Sequence, residues 1–319
     1  MNFFKVKMFY ICTNFMKNNS LHTNFIQKSI QMMLCVLMFA WLGAQRHEIG
    51  IKLGGNSLVG DIGRTNYILQ KPFTHSFSEH GVPIYVGAMY RMNFNPHQTL
   101  RFDLGYGSIQ FDDAYATETY RRQRGLRGTN SGVEVNALFE YNFYPVNNEQ
   151  KAMLSPYIFG GIGGVFYSVR RITFANDFNR DASGNAVAPT VADDFTTTPE
   201  RTYANKLTLA VPFGVGLKYK FNYNWALSGE LMFKPTFSDG IDYSAINNSD
   251  VRLTYNRDIT NSNTNRSLLQ EDPYIAVARE RADTYVSENT YGNTNSKDWI
   301  NSVTLSLTYS FGRPPCYCD

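Results

Sequence analysis

Charged residues recur on one face of several segments in which apolar and polar side chains alternate. The carboxylates are Glu48, Asp103, Glu134, Glu140 and Glu230, and the cations are Lys52, Arg91, Arg101, Lys218 and Lys234. A lone charge inside a closed wall costs several kcal/mol, so these groups must pair with one another. The pattern fits an ion path, an acid–base site or a charge network that fills a narrow interior. We favour the network.

One short cluster has the residue types of a nucleophile and its base. His75-Ser76 is followed by Ser78-Glu79-His80. A serine becomes a nucleophile when a histidine takes its proton, but no G-x-S-x-G turn flanks this cluster. We therefore interpret it as part of a solvated loop, and we predict no catalytic residue, no cofactor site, no metal site and no enzyme.

Two cysteines lie close to the end of the chain, at Cys316 and Cys318. Cysteines one residue apart form only a strained ring with each other, whereas each can pair with a cysteine of a partner. Three interpretations stay open: a periplasmic tail that docks or cross-links a partner, two thiolates contributed to a metal, or no function. The residues 313–319 form this predicted tail.

A basic segment, Arg121-Arg122-Gln123-Arg124 with Arg127, offers a possible anion-binding surface. Guanidinium groups bind phosphate and carboxylate in a bidentate manner, so lipopolysaccharide or a protein partner fits the segment. A solvated loop face fits it equally simply, and we prefer that interpretation.

The N-terminus has the pattern of a secretory signal. The apolar run from Ile30 to Ala44 is shorter than the about 20 residues that span a bilayer. Lys17 and Lys28 precede it and Gly43-Ala44 ends it, so we predict a signal peptide over 1–44, with Met16 as an alternative start. Export places the remaining cysteines in an oxidising compartment.

Strict alternation of apolar with polar or small residues predicts β-strands in which one face is apolar. The clearest example has Val303, Leu305, Leu307, Tyr309 and Phe311 on one face. Eight such segments lie at about 48–54, 84–91, 100–107, 133–143, 157–167, 207–221, 225–234 and 302–311. The number is even, as in bacterial outer-membrane barrels.

The connections distinguish a membrane barrel from a soluble β-sandwich. Short turns at 95–97 and 222–224 and a modest one at 145–155 alternate with long loops at 59–81, 112–131, 170–205 and 237–297. A barrel entered from the periplasm sorts its loops in this way, and a sandwich has no reason to. We therefore predict an all-β, eight-stranded antiparallel barrel over 45–312, with long extracellular loops and short periplasmic turns. Within the last loop, 271–285 has the pattern of a short amphipathic helix.

Composition agrees with this class. Aromatic residues make up 15% of the chain and charged residues 18%, which is below the about 25% of a soluble domain. The net charge of +3 is too small to indicate nucleic-acid binding. We expect outer-membrane lipid as the surrounding partner, and an eight-stranded interior is filled by side chains rather than open for diffusion.

Several short motifs resemble one family of outer-membrane proteins. They are the segments 45–50, 54–56 and 59–63, the turn Tyr90-Arg91-Met92-Asn93-Phe94-Asn95-Pro96, and the ending 308–312 with Cys316-Tyr317-Cys318. The chain resembles the PorG-like outer-membrane component of the type IX secretion system of Bacteroidetes. The motifs span the barrel from end to end, and the turn and the cysteine tail are the most specific of them.

The resemblance implies an outer-membrane subunit that contacts or anchors a periplasmic ring, built from a lipoprotein and its soluble partner. That ring supports export of proteins with a C-terminal secretion domain, including gliding adhesins. The alternative is a structural or small-solute outer-membrane barrel that is not tied to secretion. No spacing in the chain indicates secretion by itself.

Overall fold

A computed structural model describes residues 46–64, 82–147, 152–178, 195–255, 273–292 and 296–312. The chain divides into two compact units, and the unit Arg46–Phe311 is the one described below. The predicted signal peptide (1–44) and the tail with Cys316 and Cys318 lie outside the described residues.

The described ranges of this unit contain ten strands and two helices, apart from two single 3₁₀ turns. They are β1 (Arg46–Val59), β2 (Ile84–Asn93), β3 (Gln98–Asp112), α1 (Thr119–Arg124), β4 (Arg127–Asn142), β5 (Met153–Phe178), β6 (Phe195–Ala210), β7 (Phe213–Lys220), β8 (Trp225–Pro235), β9 (Val251–Tyr255), α2 (Pro273–Glu288) and β10 (Trp299–Phe311). No helix within these ranges is long and apolar enough to cross a membrane.

The strands close into an antiparallel ring. Neighbours pair in the order β4-β3-β2-β1-β10-β8-β7-β5-β6, and β4 also pairs with β5. The first and last strands join from His47 opposite Phe311 to Val59 opposite Trp299. Counting β6 and β7 as one wall strand, the ring has eight members, so the predicted eight-stranded barrel is confirmed.

Pro212 explains why one predicted strand, 207–221, is divided between β6 and β7. The pairing with β5 continues in a single register across the break, from Gly160 opposite Phe213 to Gly163 opposite Ala210. Proline has no N–H to donate to the ladder, so the hydrogen bonding is interrupted there. The Gly161 amide still donates to the Pro212 carbonyl at 2.9 Å, which keeps the wall closed.

The alternation sorts apolar residues to the outside of the ring and polar residues to the inside. Ile51 is 58% exposed, whereas its neighbour Lys52 is 0% exposed. Outward apolar side chains recur on all eight wall strands, which is the reverse of a soluble protein and the pattern of a lipid-facing band. Aromatic contacts follow the periplasmic rim, among them His47 with Tyr90 and with Phe311, His97 with Tyr141, and Trp225 with Tyr309.

The long loops contain more structure than the sequence indicated. The prediction of a loop over 170–205 was wrong at both ends, because β5 continues to Phe178 and β6 begins at Phe195. β5 has 26 residues, whereas a barrel wall takes about 9–11, so the β5–β6 hairpin extends well beyond the wall. Mixed polar and apolar residues without strict alternation hid this extension.

A small extracellular layer packs on the hairpin. β9 pairs in parallel with β5, from Ile172 opposite Val251 to Asn176 opposite Tyr255. Ile172 and Phe174 pack with Ala282 of α2, and Tyr285 contacts the same cluster. The helix predicted within 271–285 is confirmed, and it runs to Glu288.

Candidate functional site

The ten charged side chains singled out in the sequence all point into the barrel and are buried. They come from β1, β2, β3, β4, β7 and β8, and none is more than 3% exposed. The five cations balance the five carboxylates. The side chains meet because residues two apart on a strand share a face, and the ring turns one face of every strand inward.

Glu230 lies at the centre of the network. One of its oxygens accepts from Arg101 at 2.7 Å and from Arg91 at 3.2 Å, and the other accepts from Lys52 at 2.8 Å. The Tyr157 hydroxyl donates to the same carboxylate at 2.6 Å. Four strands besides β8 therefore converge on a single carboxylate.

A second group lies nearer the periplasmic end. Glu140 pairs with Arg91 at 3.0 Å and with Arg101 at 3.3 Å. Glu48 pairs with Lys218 at 3.1 Å and accepts from the Asn93 amide at 3.0 Å. The two arginines thus bridge both groups, which makes the interior one connected network.

The remaining pairs complete the charge balance. Asp103 pairs with Lys52 at 3.0 Å and with Arg101 at 3.1 Å. Lys234 pairs with Glu134, somewhat closer to the extracellular end. Every one of the predicted charges has an opposite charge within ion-pair distance.

Aromatic residues whose role was not evident from the sequence pack around the network. The Arg101 guanidinium lies 4.5 Å from the centre of the Phe159 ring. Tyr157 and Tyr85 fill the interior over Gly216 and Gly105, where an added Cβ would lie 2.3 Å from each ring or its hydroxyl. A pattern in the sequence could have indicated Tyr157 and Tyr85: each is an inward aromatic residue that faces a glycine on a neighbouring alternating strand.

The periplasmic mouth is sealed by its own turn. Val146 and Asn147 of the turn after β4 are 1% and 2% exposed. The Asn147 side chain donates to Thr99, and its backbone carbonyl accepts from Arg46 at 3.1 Å. Arg46 also donates to the Tyr223 carbonyl and lies over the Tyr223 ring. Arg46 stands at the edge of its strand, ahead of the alternating segment, so its place in the seal was not evident from the sequence.

The extracellular mouth is filled by an apolar plug. Ile241 and Tyr243, from the segment after β8, pack against the inward side chains of Leu58, Phe111 and Val165. A cavity of only about 10 Å³ remains between the plug and the charge network. That is near the lower limit for one water molecule.

Among the described residues, the carboxylates of the barrel interior are paired with cations, and the turn with Asn147 and the plug with Ile241 occupy the two ends of the barrel. Within the described ranges, no three histidine, cysteine or acidic side chains are placed to hold a metal ion. The geometry supports a rigid, filled barrel.

The basic segment does not form an open anion site with all its members. Arg121 donates to the Gly60 and Gly63 carbonyls, and Arg124 forms a two-point contact with Asp113. Arg122 donates to the Ala116 and Thr117 carbonyls. These three guanidinium groups hold the extracellular loops together. The residues 75–80 lie outside the described residues.

The closed wall, the apolar outer face and the charged interior define a membrane-spanning barrel of the bacterial outer membrane. The family model described as "Domain of unknown function (DUF6089)" matches residues 27–197 and 276–319. The chain belongs to this family. No curated protein matches it.

Several solved outer-membrane proteins are similar to the chain at low identity. The N-terminal barrel domain of Pseudomonas aeruginosa OprF is 10% identical, with a TM-score of 0.34, and covers 84% of this chain and 99% of its own. Yersinia pestis Ail, the attachment invasion locus protein, is 11% identical, with a TM-score of 0.34 and the same coverage. A major outer-membrane protein of Thermus thermophilus is 13% identical, with a TM-score of 0.31, and covers 83% of this chain and 99% of its own.

Proposed function

We propose that this chain is an outer-membrane barrel subunit of the type IX protein secretion machinery of Bacteroidetes, and that it contacts or anchors the periplasmic ring. The partners would be the ring lipoprotein and its soluble partner. The proposal rests on the resemblance of the first strand, the Tyr90–Pro96 turn and the cysteine tail to the PorG-like family. Export of gliding adhesins and other proteins with a C-terminal secretion domain would depend on it.

The sealed interior supports a scaffold rather than a conduit. The ion-paired side chains around Glu230 lie inside the barrel, and the plug with Ile241 and Tyr243 packs at its extracellular mouth. An eight-stranded barrel is too narrow to pass a folded protein even when it is open. A role in secretion must therefore consist of holding other subunits at the membrane.

The alternative is a structural barrel that is not tied to secretion, or a channel for small solutes. The same sealed interior weighs against the channel, because a channel needs a continuous aqueous path. A purely structural barrel fits the described residues as well as a secretion subunit does. An experiment on export in living cells distinguishes the structural barrel from the secretion subunit.

A clean deletion strain provides the test. We expect C-terminal-signal cargo to accumulate inside the cell while uptake of small solutes is unchanged, and a plasmid copy of the gene should restore export. Normal export in the deletion strain would contradict the secretion role. Slower solute uptake with normal export would favour the channel.

The tail requires its own experiment. We propose that Cys316 and Cys318 contribute a partner contact or a disulfide. The variant with both cysteines changed to serine should recover less of the ring subunits in a pull-down, most visibly without reductant. A matched variant, Ser302→Ala, should recover them fully. Equal recovery with both variants would refute the tail contact and leave the secretion role standing.

A further inference from the structure

Four carboxylates gather at the extracellular mouth, beyond the membrane-spanning wall. They are Asp61 after β1, Asp239 and Asp242 after β8, and Asp298 directly before β10. Asp242 and Asp298 are 0% and 1% exposed. None of the four belongs to the charge network of the barrel interior.

Asp242 and Asp298 tie three chain segments together. Asp242 accepts from the Ile62 amide at 2.8 Å and from the Ser244 amide at 2.9 Å. Asp298 accepts from the Ile241 amide at 2.8 Å, and its backbone carbonyl accepts from the Thr236 hydroxyl, also at 2.8 Å. The two side chains therefore hold the plug segment 236–244 against the ends of β1 and β10.

The second oxygen of Asp298, Oδ1, is buried and has no hydrogen-bond donor among the described residues. A Cβ on Gly60 would lie 2.5 Å from this Asp298 Oδ1 and 2.6 Å from Asp242 Oδ2, so the two oxygens face the same small space. Two ionised carboxylates in such a space repel each other, whereas one proton between them supplies the missing donor.

The described surroundings hold further carboxyl groups and two cations. Asp61 and Asp239 lie nearby, Lys297 interacts electrostatically with Asp239, and Arg124, which interacts electrostatically with Asp242, is bound to Asp113. Burial, Asp61 and Asp242 raise the pKa of Asp239 to about 7, and Lys297 opposes them. Burial and the neighbouring carboxylates raise the pKa of Asp298 well above its usual value, and burial raises that of Asp242. Tyr167 also faces Asp298, and its hydroxyl is hydrogen-bonded to Ser238.

The plug backbone itself is under strain at one position. Tyr243, between Asp242 and Ser244, has a φ of 62°, a left-handed conformation that is unfavourable for a bulky side chain. Such a conformation persists only where its neighbours hold it. Phe111 and Tyr203 pack on its ring, and the two flanking hydrogen-bonded residues fix its backbone.

We propose that Asp242 and Asp298 share one proton and that this proton latches the plug over the extracellular mouth. Loss of the proton sets two negative charges against each other, and the strained plug segment then opens more readily. The latch makes the extracellular cap sensitive to pH while the barrel wall below it stays closed.

The sign of the effect follows from linkage. A carboxyl whose pKa is raised in the closed cap keeps a proton that it loses in the open cap, so closure is favoured at low pH. This advantage falls as pH rises from the ordinary value near 4 toward the raised value. The opening constant should rise about tenfold per pH unit for each retained proton across that range.

Hydrogen exchange of the mature barrel in detergent micelles measures the opening. Peptides that cover 60–64 and 236–246 contain the Ile62, Ile241 and Ser244 amides that donate to the two carboxylates. After correction for intrinsic exchange, the opening constant of these peptides should rise at least tenfold per pH unit between pH 5 and pH 7, with Asp239 adding to the effect of the shared proton. Wall peptides from β10 should not respond.

The variant Asp298→Asn supplies a permanent N–H donor where the proton would be. Its dependence on pH should fall by about one proton per opening, and its cap should stay closed at pH 7. The control Asp283→Asn removes an exposed charge from α2 and should keep the wild-type dependence. If Asp298→Asn does not fold, the pH dependence of the wild-type cap and of Asp242→Asn still tests the latch.

Three results would overturn the proposal. The wild-type cap could open equally at pH 5 and pH 7, or Asp298→Asn could retain the full pH dependence. Alternatively, added Ca²⁺ could close the cap at pH 7 and a chelator could reverse it, which would assign the space to a cation in place of the proton.

Discussion

Replacing Glu230 with glutamine should destabilise the barrel more than removing an interior carboxylate that has a single cation partner, such as Glu134. The glutamine keeps the shape of the side chain and one acceptor oxygen for Arg101 and Tyr157. It places an NH₂ group where the oxygen accepted from Lys52 at 2.8 Å, so two donors then face each other. It also leaves the buried network with a net positive charge.

The magnitude follows from the number of partners. Removing one member of a buried ion pair costs about 3–5 kcal/mol, because the remaining charge stays buried without compensation. Glu230 serves three cations, so Glu230→Gln should reach the upper part of that range. Glu134 serves only Lys234, and Glu134→Gln should cost less. Glu200 is exposed on β6, and Glu200→Gln should change stability by less than about 0.5 kcal/mol.

Reversible urea unfolding of the mature barrel in lipid vesicles, followed by tryptophan fluorescence, gives the free energies. The double variant Lys52→Met with Glu230→Gln restores the charge balance and should recover part of the loss. Equal unfolding free energies for Glu230→Gln and Glu200→Gln would show that the interior is hydrated enough to screen its charges. The ion pairs would then contribute little to stability.

Three further outcomes are expected from the fold. The folded mature chain should migrate differently from the boiled chain in gel electrophoresis, because a closed hydrogen-bonded wall resists detergent until it is heated; recovery of the chain as a soluble species without detergent would contradict the membrane barrel. Planar bilayers containing the protein should show no steady conductance, since both mouths are filled, and large steady single-channel currents would contradict the sealed interior. Phe174→Ala should destabilise the layer formed by α2 and the β5–β6 hairpin by about 3–5 kcal/mol. Hydrogen exchange should then become faster in α2 and stay unchanged in the wall. Equally fast exchange in both would show that the layer and the wall unfold as one unit.

The wall was predictable because its physics is local. Each wall strand must present an apolar residue to lipid at every second position, and the sequence of segments such as 302–311 shows this alternation. The partners of each charge were not predictable in the same way. Glu230 contacts Lys52, Arg91 and Arg101, which lie on three other strands, and their heights in the barrel depend on the stagger of the closed ring. Alternation places a residue inside, but it does not fix the level at which that residue stands.

The contacts of the loop residues were also not predictable from the sequence. Arg121 and Arg124 had the composition of a binding patch, yet they donate to loop carbonyls and to Asp113. Sequence alone does not reveal whether a guanidinium group is already occupied, because its partners come from the ends of β1 and β3. The plug was missed for a related reason. Ile241 and Tyr243 lie among polar residues and become buried only because the barrel mouth provides the space.

The β5 strand locates the outer membrane boundary. Ile158, Ile162 and Phe166 lie on the outward face of the wall and are exposed to lipid. Ile172 and Phe174 lie on that same face, and α2 covers them with protein. The face therefore changes from a lipid environment to a protein one between Phe166 and Ile172. Ser168, the first of the two residues of this face in between, pairs with Asn205, and two polar residues side by side suit the level of the lipid headgroups. α2 consequently packs on the part of β5 that lies beyond the apolar band. A helix in this position covers Ile172 and Phe174, the apolar residues of β5 beyond the membrane-spanning part of the strand. A hairpin of such length therefore needs the β9–α2 layer to keep these residues from water.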